Sequence, residues 1–291
     1  MNEQDLKHGG KLRHPLIHWW KRFKRPSYSK HISKRKLIGG ASIVNWSVPY
    51  SSPHGEIKNQ QQSDSCGGMA GAYFIEIMNL LQGKSIEISA KSIYAPIACS
   101  GGGTTEDALE TQIAARGANL EATVPDVAPD GTCTEAFMSD KSWITPALLE
   151  EAATRAGYTP MSVSMDIDSI AEAIANEGAV IWLIKGQNNG TWLSAYPNPP
   201  INNLNNWGHF MCPFGYQTVA QQQIDSLQSW GTSVGDGGIQ HFTSNYINSG
   251  YIVDAFTFVS DAKIVPVKGN TSIWAWLVDL WNGKPVVVPS V

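Results

Sequence analysis

Apolar side chains recur three and four residues apart at Ala70, Tyr73, Phe74, Ile77, Met78 and Leu81, which predicts a helix opening at Ser65 or Cys66, running to Gln82 and stopping at Gly83. A second helix is expected after Gly103, capped by Thr104 or Thr105, with Glu106 and Asp107 against the positive end of its dipole and Gly117 ending it. A third has Thr145 as cap and Pro146 in the first turn, then runs from Leu148 to Ala156 before Gly157. The box Ser169-x-x-Glu172 opens a fourth, which ends near Gly178.

Beyond that point the pattern changes to runs with strand character: Ala179 to Lys185, Gly208 to Tyr216, Gly238 to Phe242, and the alternating stretch Tyr251 to Val259. Helices come first and strands second, so the expected class is an α+β fold of two lobes rather than alternating βαβ units. The Asn- and Pro-rich stretch from Asn198 to Asn206 is a loop by composition.

Composition and charge divide the chain further. At 291 residues, 42% hydrophobic and 16% charged, it can fill one large core or two small ones. No apolar run approaches the length of a membrane-spanning helix, and the Lys/Arg-rich start lacks the apolar centre of a secretory signal. The net charge of -4 hides an asymmetry. Residues 1–40 carry eleven Lys and Arg against two acidic residues, 11 - 2 = +9, which leaves 10 - 23 = -13 for the rest. Residues 1–43 therefore read as a basic extension, a candidate contact for polyanions or anionic surfaces, a short pro-segment, or a solvated tail. The folded unit is expected over 44–266, followed by a Trp-rich tail over 267–291 with a short amphipathic helix at 272–281. Four Cys do not make a disulfide-dense framework. With no secretory signal recognised, a cytoplasmic location or packaging in a larger assembly fits.

Outside the extension lie three histidines, His54, His209 and His241, and only His209 opens an apolar strand. Of the thiols, Cys66 sits where a long apolar helix begins, and the positive helix end lowers a thiol pKa there. Cys99, Cys133 and Cys212 read as structural. No His or Cys pair outside the extension has metal-ligand spacing, and no cofactor is expected.

In order and spacing these residues resemble the papain-like cysteine proteases. Lys58-Asn59-Gln60 followed by Ser65-Cys66 is similar to the family's active-site segment, and His209 lies 209 - 66 = 143 residues downstream. Ser229-Trp230-Gly231-Thr232-Ser233-Val234-Gly235 resembles the Asn-Ser-Trp-Gly stretch, Cys99-Ser100-Gly101-Gly102 the Cys-Asn-Gly-Gly, Asn45-Trp46 the domain start, and Gly208-His209 to Phe214-Gly215-Tyr216 the histidine strand. The likeness covers about Asn45 to Val265. It implies a two-lobe fold with the site in the cleft between the lobes, Cys66 as nucleophile, His209 as general acid and base, and Gln60 as oxyanion donor beside the Cys66 N–H. Gly101 and Gly102 would line an extended peptide or protein substrate. Trp230 would cover the histidine, and Trp182 and Trp207 would shrink the pocket for the residue two before the scissile bond, favouring small or medium apolar side chains.

The chain also departs from the family. Gln228 stands where the histidine-orienting Asn belongs, Gly67 where an aromatic follows the nucleophile, and Ser63 where a half-cystine belongs, which removes the expected partner of Cys99. Forty-odd residues before Asn45 are too few for the usual inhibitory segment. A catalytically inactive domain of the same fold, used as a binding or structural module, is the alternative reading. A nucleic-acid-binding protein is a third, and the chain has no groove-reading or base-stacking motif to support it.

Overall fold

The computed structural model describes residues 44–204 and 206–260; the basic extension and the Trp-rich tail, with its expected helix, lie outside the described residues. Helix α1 (Cys66–Leu80) is buried on every side from Cys66 to Met78, not on a single stripe as its periodicity suggested. A helix apolar all round is an interior element, and α1 is the axis on which the helical part is built. Around it lie α2 (Ala90–Tyr94), α3 (Glu106–Thr111, continued by a wider turn over Gln112–Arg116), α4 (Glu135–Ser139) and α5 (Pro146–Ala153). Thr145 caps α5 as expected, accepting from the Leu148 N–H. In α6 (Ile167–Glu177) the cap is Asp166, three residues earlier than the Ser169 box implied, and Ser169 donates its N–H to that carboxylate.

The strands are β1 (Tyr50–Ser51), β2 (Tyr158–Ser162), β3 (Ile181–Gly186), β4 (Trp207–Thr218), β5 (Gln222–Leu227), β6 (Ile239–Thr243) and β7 (Ile252–Ser260), with a short α7 (Ser244–Ile247) before β7. They form an antiparallel sheet in the order β2-β7-β3-β4-β5-β6, with β1 beside β4. Alternation of side chains along the strands separates two cores. Leu183, Phe210, Cys212, Phe214, Phe256 and Phe258 pack toward α1, while Trp182, Ile184, Met211, Ile224 and Phe242 pack with Ile170 and Ile174 of α6. Among the described residues no helix is long and apolar enough to cross a membrane.

One buried ionic cluster fixes the segment leading into α1. Lys58 Nζ lies 3.0 Å from Glu76 Oε1, 3.4 Å from Glu121 Oε2 and 3.9 Å from Asp126 Oδ2, and donates to the Ile88 carbonyl. Burial works against the Lys58 charge, but the three carboxylates outweigh it and hold the ammonium protonated. Three carboxylates around one cation leave excess negative charge, so burial, reinforced for Glu121 by Asp126, pushes Glu121 up from 4.5 to about 7. Burial likewise raises Glu76 and Asp126. The folded state therefore holds protons that the unfolded chain releases. Stability from Glu121 is fully present below about 4.5 and is lost as pH rises through about 7. The thermal midpoint is expected to fall between about pH 4.5 and about pH 7, and Glu121→Gln to flatten that slope; an unchanged slope in melts across this range counts against the assignment.

Candidate active site

Four segments converge where α1 meets β4. Ser65 precedes Cys66 in the cap position, yet its side chain makes no capping bond and pairs instead with Ser63 Oγ at 2.7 Å. No acidic residue stands in the first turn of α1, so its positive end is not neutralised from within the helix. From β4, where His209 lies opposite Ile184 of β3, the N–H of Phe210 donates to Cys66 Sγ at 3.5 Å. The backbone of the histidine strand thus touches the thiol, and both Cys66 and His209 are buried.

Gln60 is tied to the segment after β5 by both backbone and side chain. Its N–H donates to the Ser229 carbonyl at 2.7 Å, its Oε1 accepts the Ser229 hydroxyl at 2.5 Å, and its Nε2 donates to the Ser63 carbonyl at 2.8 Å. The neighbouring Gln61 holds φ at 44°, a left-handed conformation costing a non-glycine residue of order 1–3 kcal/mol. Its N–H to Asn59 Oδ1 and its side-chain bonds to Gly131 O and the Cys133 N–H keep it there. Tyr73 completes the clamp: its hydroxyl accepts the Lys58 N–H and donates to the Gln228 carbonyl at 3.0 Å. Ser229 and Tyr73 were not singled out from sequence; Ser229 lay inside the Ser-Trp-Gly motif, whereas Tyr73 gave only a core signal.

The Trp230 ring stacks on His209, with centroids 4.1 Å apart and planes 12° from parallel. Trp192, from the long loop between β3 and β4, meets His209, Trp207 and Trp230 edge-on. Gln228, expected to orient the histidine, directs its amide into its own turn: Oε1 accepts the Trp230 N–H and Nε2 donates to the Gly231 carbonyl at 2.7 Å. Its visible action is on Trp230, and through that ring on His209.

The remaining expected residues separate. Gly101 and Gly102 hold φ of 78° and 84° in a turn closed by the Gly102 N–H to the Cys99 carbonyl. Trp207 is half-buried beside Trp192 and donates to Asn188 Oδ1. Trp182 is a correction: its ring is fully buried edge-on to Phe242 in the α6 core and has no exposed surface to offer a substrate, so it is no pocket wall. Among the other candidates, His241 Nδ1 is 2.6 Å from Asp225 Oδ1 beside the Tyr196 ring, and His54 Nδ1 is bonded to the Gly55 carbonyl. All four cysteines are free, and Ser63 Oγ lies 3.5 Å from Cys133 Sγ rather than against Cys99.

Gly67 has a packing reason. A Cβ there would lie 2.4 Å from Thr104 Cγ2 and 3.4 Å from the Phe210 ring, so Phe210, next to His209, stands against the position where the aromatic was expected. Gly67→Ala is expected to destabilise by about 1–3 kcal/mol through overpacking. Thr104→Ser, which removes the clashing methyl, should recover part of the loss in thermal melts; no recovery would place the clash elsewhere.

With this geometry in place, the comparisons with known proteins are direct. The papain family cysteine protease model matches residues 42–259, and the chain belongs to that family. Its fold is similar to that of xylellain, a cysteine protease from Xylella fastidiosa, at 16% identity and a TM-score of 0.66, covering 88% of this chain and 96% of that one. A digestive procathepsin L2 from Tenebrio molitor is similar at 18% identity and a TM-score of 0.66, covering 89% and 81%. Bromelain from Ananas comosus is similar at 18% and 0.55, covering 75% and 100%. The α+β papain-like fold is thereby established. No curated protein sequence matches the chain significantly.

Proposed function

We propose that the protein hydrolyses peptide bonds through a Cys66 thiolate and a His209 imidazolium. The thiolate attacks the peptide carbonyl carbon, and the resulting oxyanion is met by the Cys66 N–H and the Gln60 side-chain amide. The imidazolium protonates the leaving amine, the C–N bond breaks, and the acyl group remains on Sγ. His209 then takes a proton from water, which attacks the thioester and releases the acid and the thiolate. Gly101 and Gly102 present backbone to the substrate, and Trp207 stands at its histidine side.

The observation that carries this reading is the placement of Cys66 at the internally unneutralised N-terminus of α1, with the backbone of the His209 strand against its sulfur. The anchoring of Gln60 on Ser229 supports it, because an oxyanion donor is effective only when held in place before the reaction. Incubating the protein with a peptide library and identifying products by mass spectrometry tests it, with Cys66→Ala as control. Cleavage by the native protein alone is expected. The Gln228 amide, turned into its own turn, is the feature that favours the second reading, an inactive binding module; peptides bound but never cleaved would establish that one.

A further inference from the structure

Two residues ahead of Cys66, the Asp64 carboxylate stands against the glycine turn. A Cβ added to Gly102 would lie 2.3 Å from Asp64 Oδ2 and 3.1 Å from its Cβ and Cγ, so this carboxylate occupies the space a side chain at 102 would take. At Gly101, by contrast, an added Cβ meets nothing within 4 Å. The backbone that carries Asp64 is fixed. Its N–H donates to Glu135 Oε2 at 2.8 Å, Glu135 Oε1 accepts the Tyr94 hydroxyl at 2.8 Å, and that hydroxyl accepts the Gly103 N–H at 2.6 Å. The frame joining Asp64 to the Gly101–Gly103 turn thus carries a second negative charge.

Asp64 is half-exposed, and among the described residues its carboxylate accepts no hydrogen bond and faces no cation. The surroundings cannot easily supply one, because residues 44–260 hold seven Lys and Arg against 21 Asp and Glu. A carboxylate that faces no cation among the described residues, on an anionic frame and beside a surface left bare by glycine, is placed to receive a cation from a bound substrate.

We propose that Asp64 selects a Lys or Arg on the substrate residue whose carbonyl Cys66 attacks. This rests on the reading of Cys66 as the nucleophile. That residue must bring its carbonyl carbon to Cys66 Sγ while the chain before it runs over Gly101 and Gly102. Two residues of backbone span at most about 7 Å, so a side chain leaving that point toward the glycine turn has the Asp64 carboxylate within reach of a long basic stem. A neutral side chain there would leave the carboxylate unpaired, and an acidic one would be repelled.

The test uses three fluorogenic peptides identical except for Arg, norleucine or Glu at the acylated position. The native protein is expected to favour Arg over norleucine by about tenfold in kcat/KM, with Glu the poorest and the preference shrinking as salt rises. Asp64→Asn should bring the Arg-to-norleucine ratio toward one, and Asp64→Lys should move the order toward Glu. Equal cleavage of the Arg and norleucine peptides by the native protein, or a ratio unmoved by Asp64→Asn, overturns the proposal while leaving the protease reading in place. Should none of the peptides be cleaved, the protease reading fails, and calorimetric binding to Cys66→Ala still decides the charge preference. Tighter binding of the Arg peptide, lost on adding Asp64→Asn, supports it; equal binding of the two overturns it.

Discussion

Cys66→Ala is expected to lower peptide cleavage by about 10⁴-fold or more, because it removes the atom that forms the acyl intermediate. The other thiols should not substitute. Burial pushes Cys133 up to about 11 and raises Cys212 well above the ordinary thiol range, so both stay protonated near neutral pH and neither supplies a thiolate. Cys133→Ala and Cys212→Ser are therefore expected to keep substantial activity, as is Cys99→Ala. The thermal midpoint of Cys66→Ala should stay close to that of the native protein, since the substitution leaves a good helix former at the first position of α1. Kinetics and melts on the four variants check this, and a comparable loss in any variant other than Cys66→Ala moves the nucleophile.

The second large effect is expected at Gln228. Its amide spans the turn from the Trp230 N–H to the Gly231 carbonyl, and Trp230 is the ring stacked on His209. Gln228→Ala removes both bonds, loosens that ring and frees the histidine from one orientation. The catalytic rate should fall by roughly ten- to a thousandfold, equivalent to about 1.4 to 4 kcal/mol of transition-state stabilisation. KM should change much less, because the side chain acts behind the histidine; the pH profile of kcat should shift with the altered imidazole surroundings. Gln228→Asn, one methylene shorter, cannot span the same turn and is expected to fall toward the Ala variant. If Gln228→Ala is kinetically silent while Cys66 and His209 remain essential, the histidine is positioned without this turn.

Much of this arrangement was legible in the sequence because strong local signals agreed with the tertiary packing. The central helix ends at Leu80, two residues before the expected Gln82, with Gly83 at φ 76° in the turn that follows, and Thr145-Pro146 caps and opens α5 where their backbone preferences put them. Strand β5 was missed because its pattern is polar: Gln223 and Asp225 are buried there, satisfied by each other, by Gln217 and by His241, an arrangement that only cross-strand neighbours reveal. Strand β2 was hidden by Pro160, which is tolerated because β2 lies at the sheet edge. The short helices α2 and α4 hang on single caps, Ser89 and Thr134, too little signal for five-residue segments.

Within the site, the motif residues were readable and their partners were not. Sequence order brought Gln60, Cys66, His209 and Trp230 forward, but the Gln60–Ser229 anchor and the Gln228 turn depend on contacts spanning well over a hundred residues or on the side-chain path within one turn. Trp182 shows the opposite failure. Its place in an apolar run before the histidine suggested a pocket wall, and packing against Phe242 in the α6 core leaves its ring no exposed surface.

The most direct test is covalent labelling of the folded native protein with a substrate-like epoxide, followed by peptide mapping. The account predicts a single adduct on Cys66, strongly reduced in His209→Ala because the imidazole no longer supports the thiolate. An adduct on Cys99, Cys133 or Cys212 in place of Cys66, or full labelling of Cys66 without His209, would contradict it.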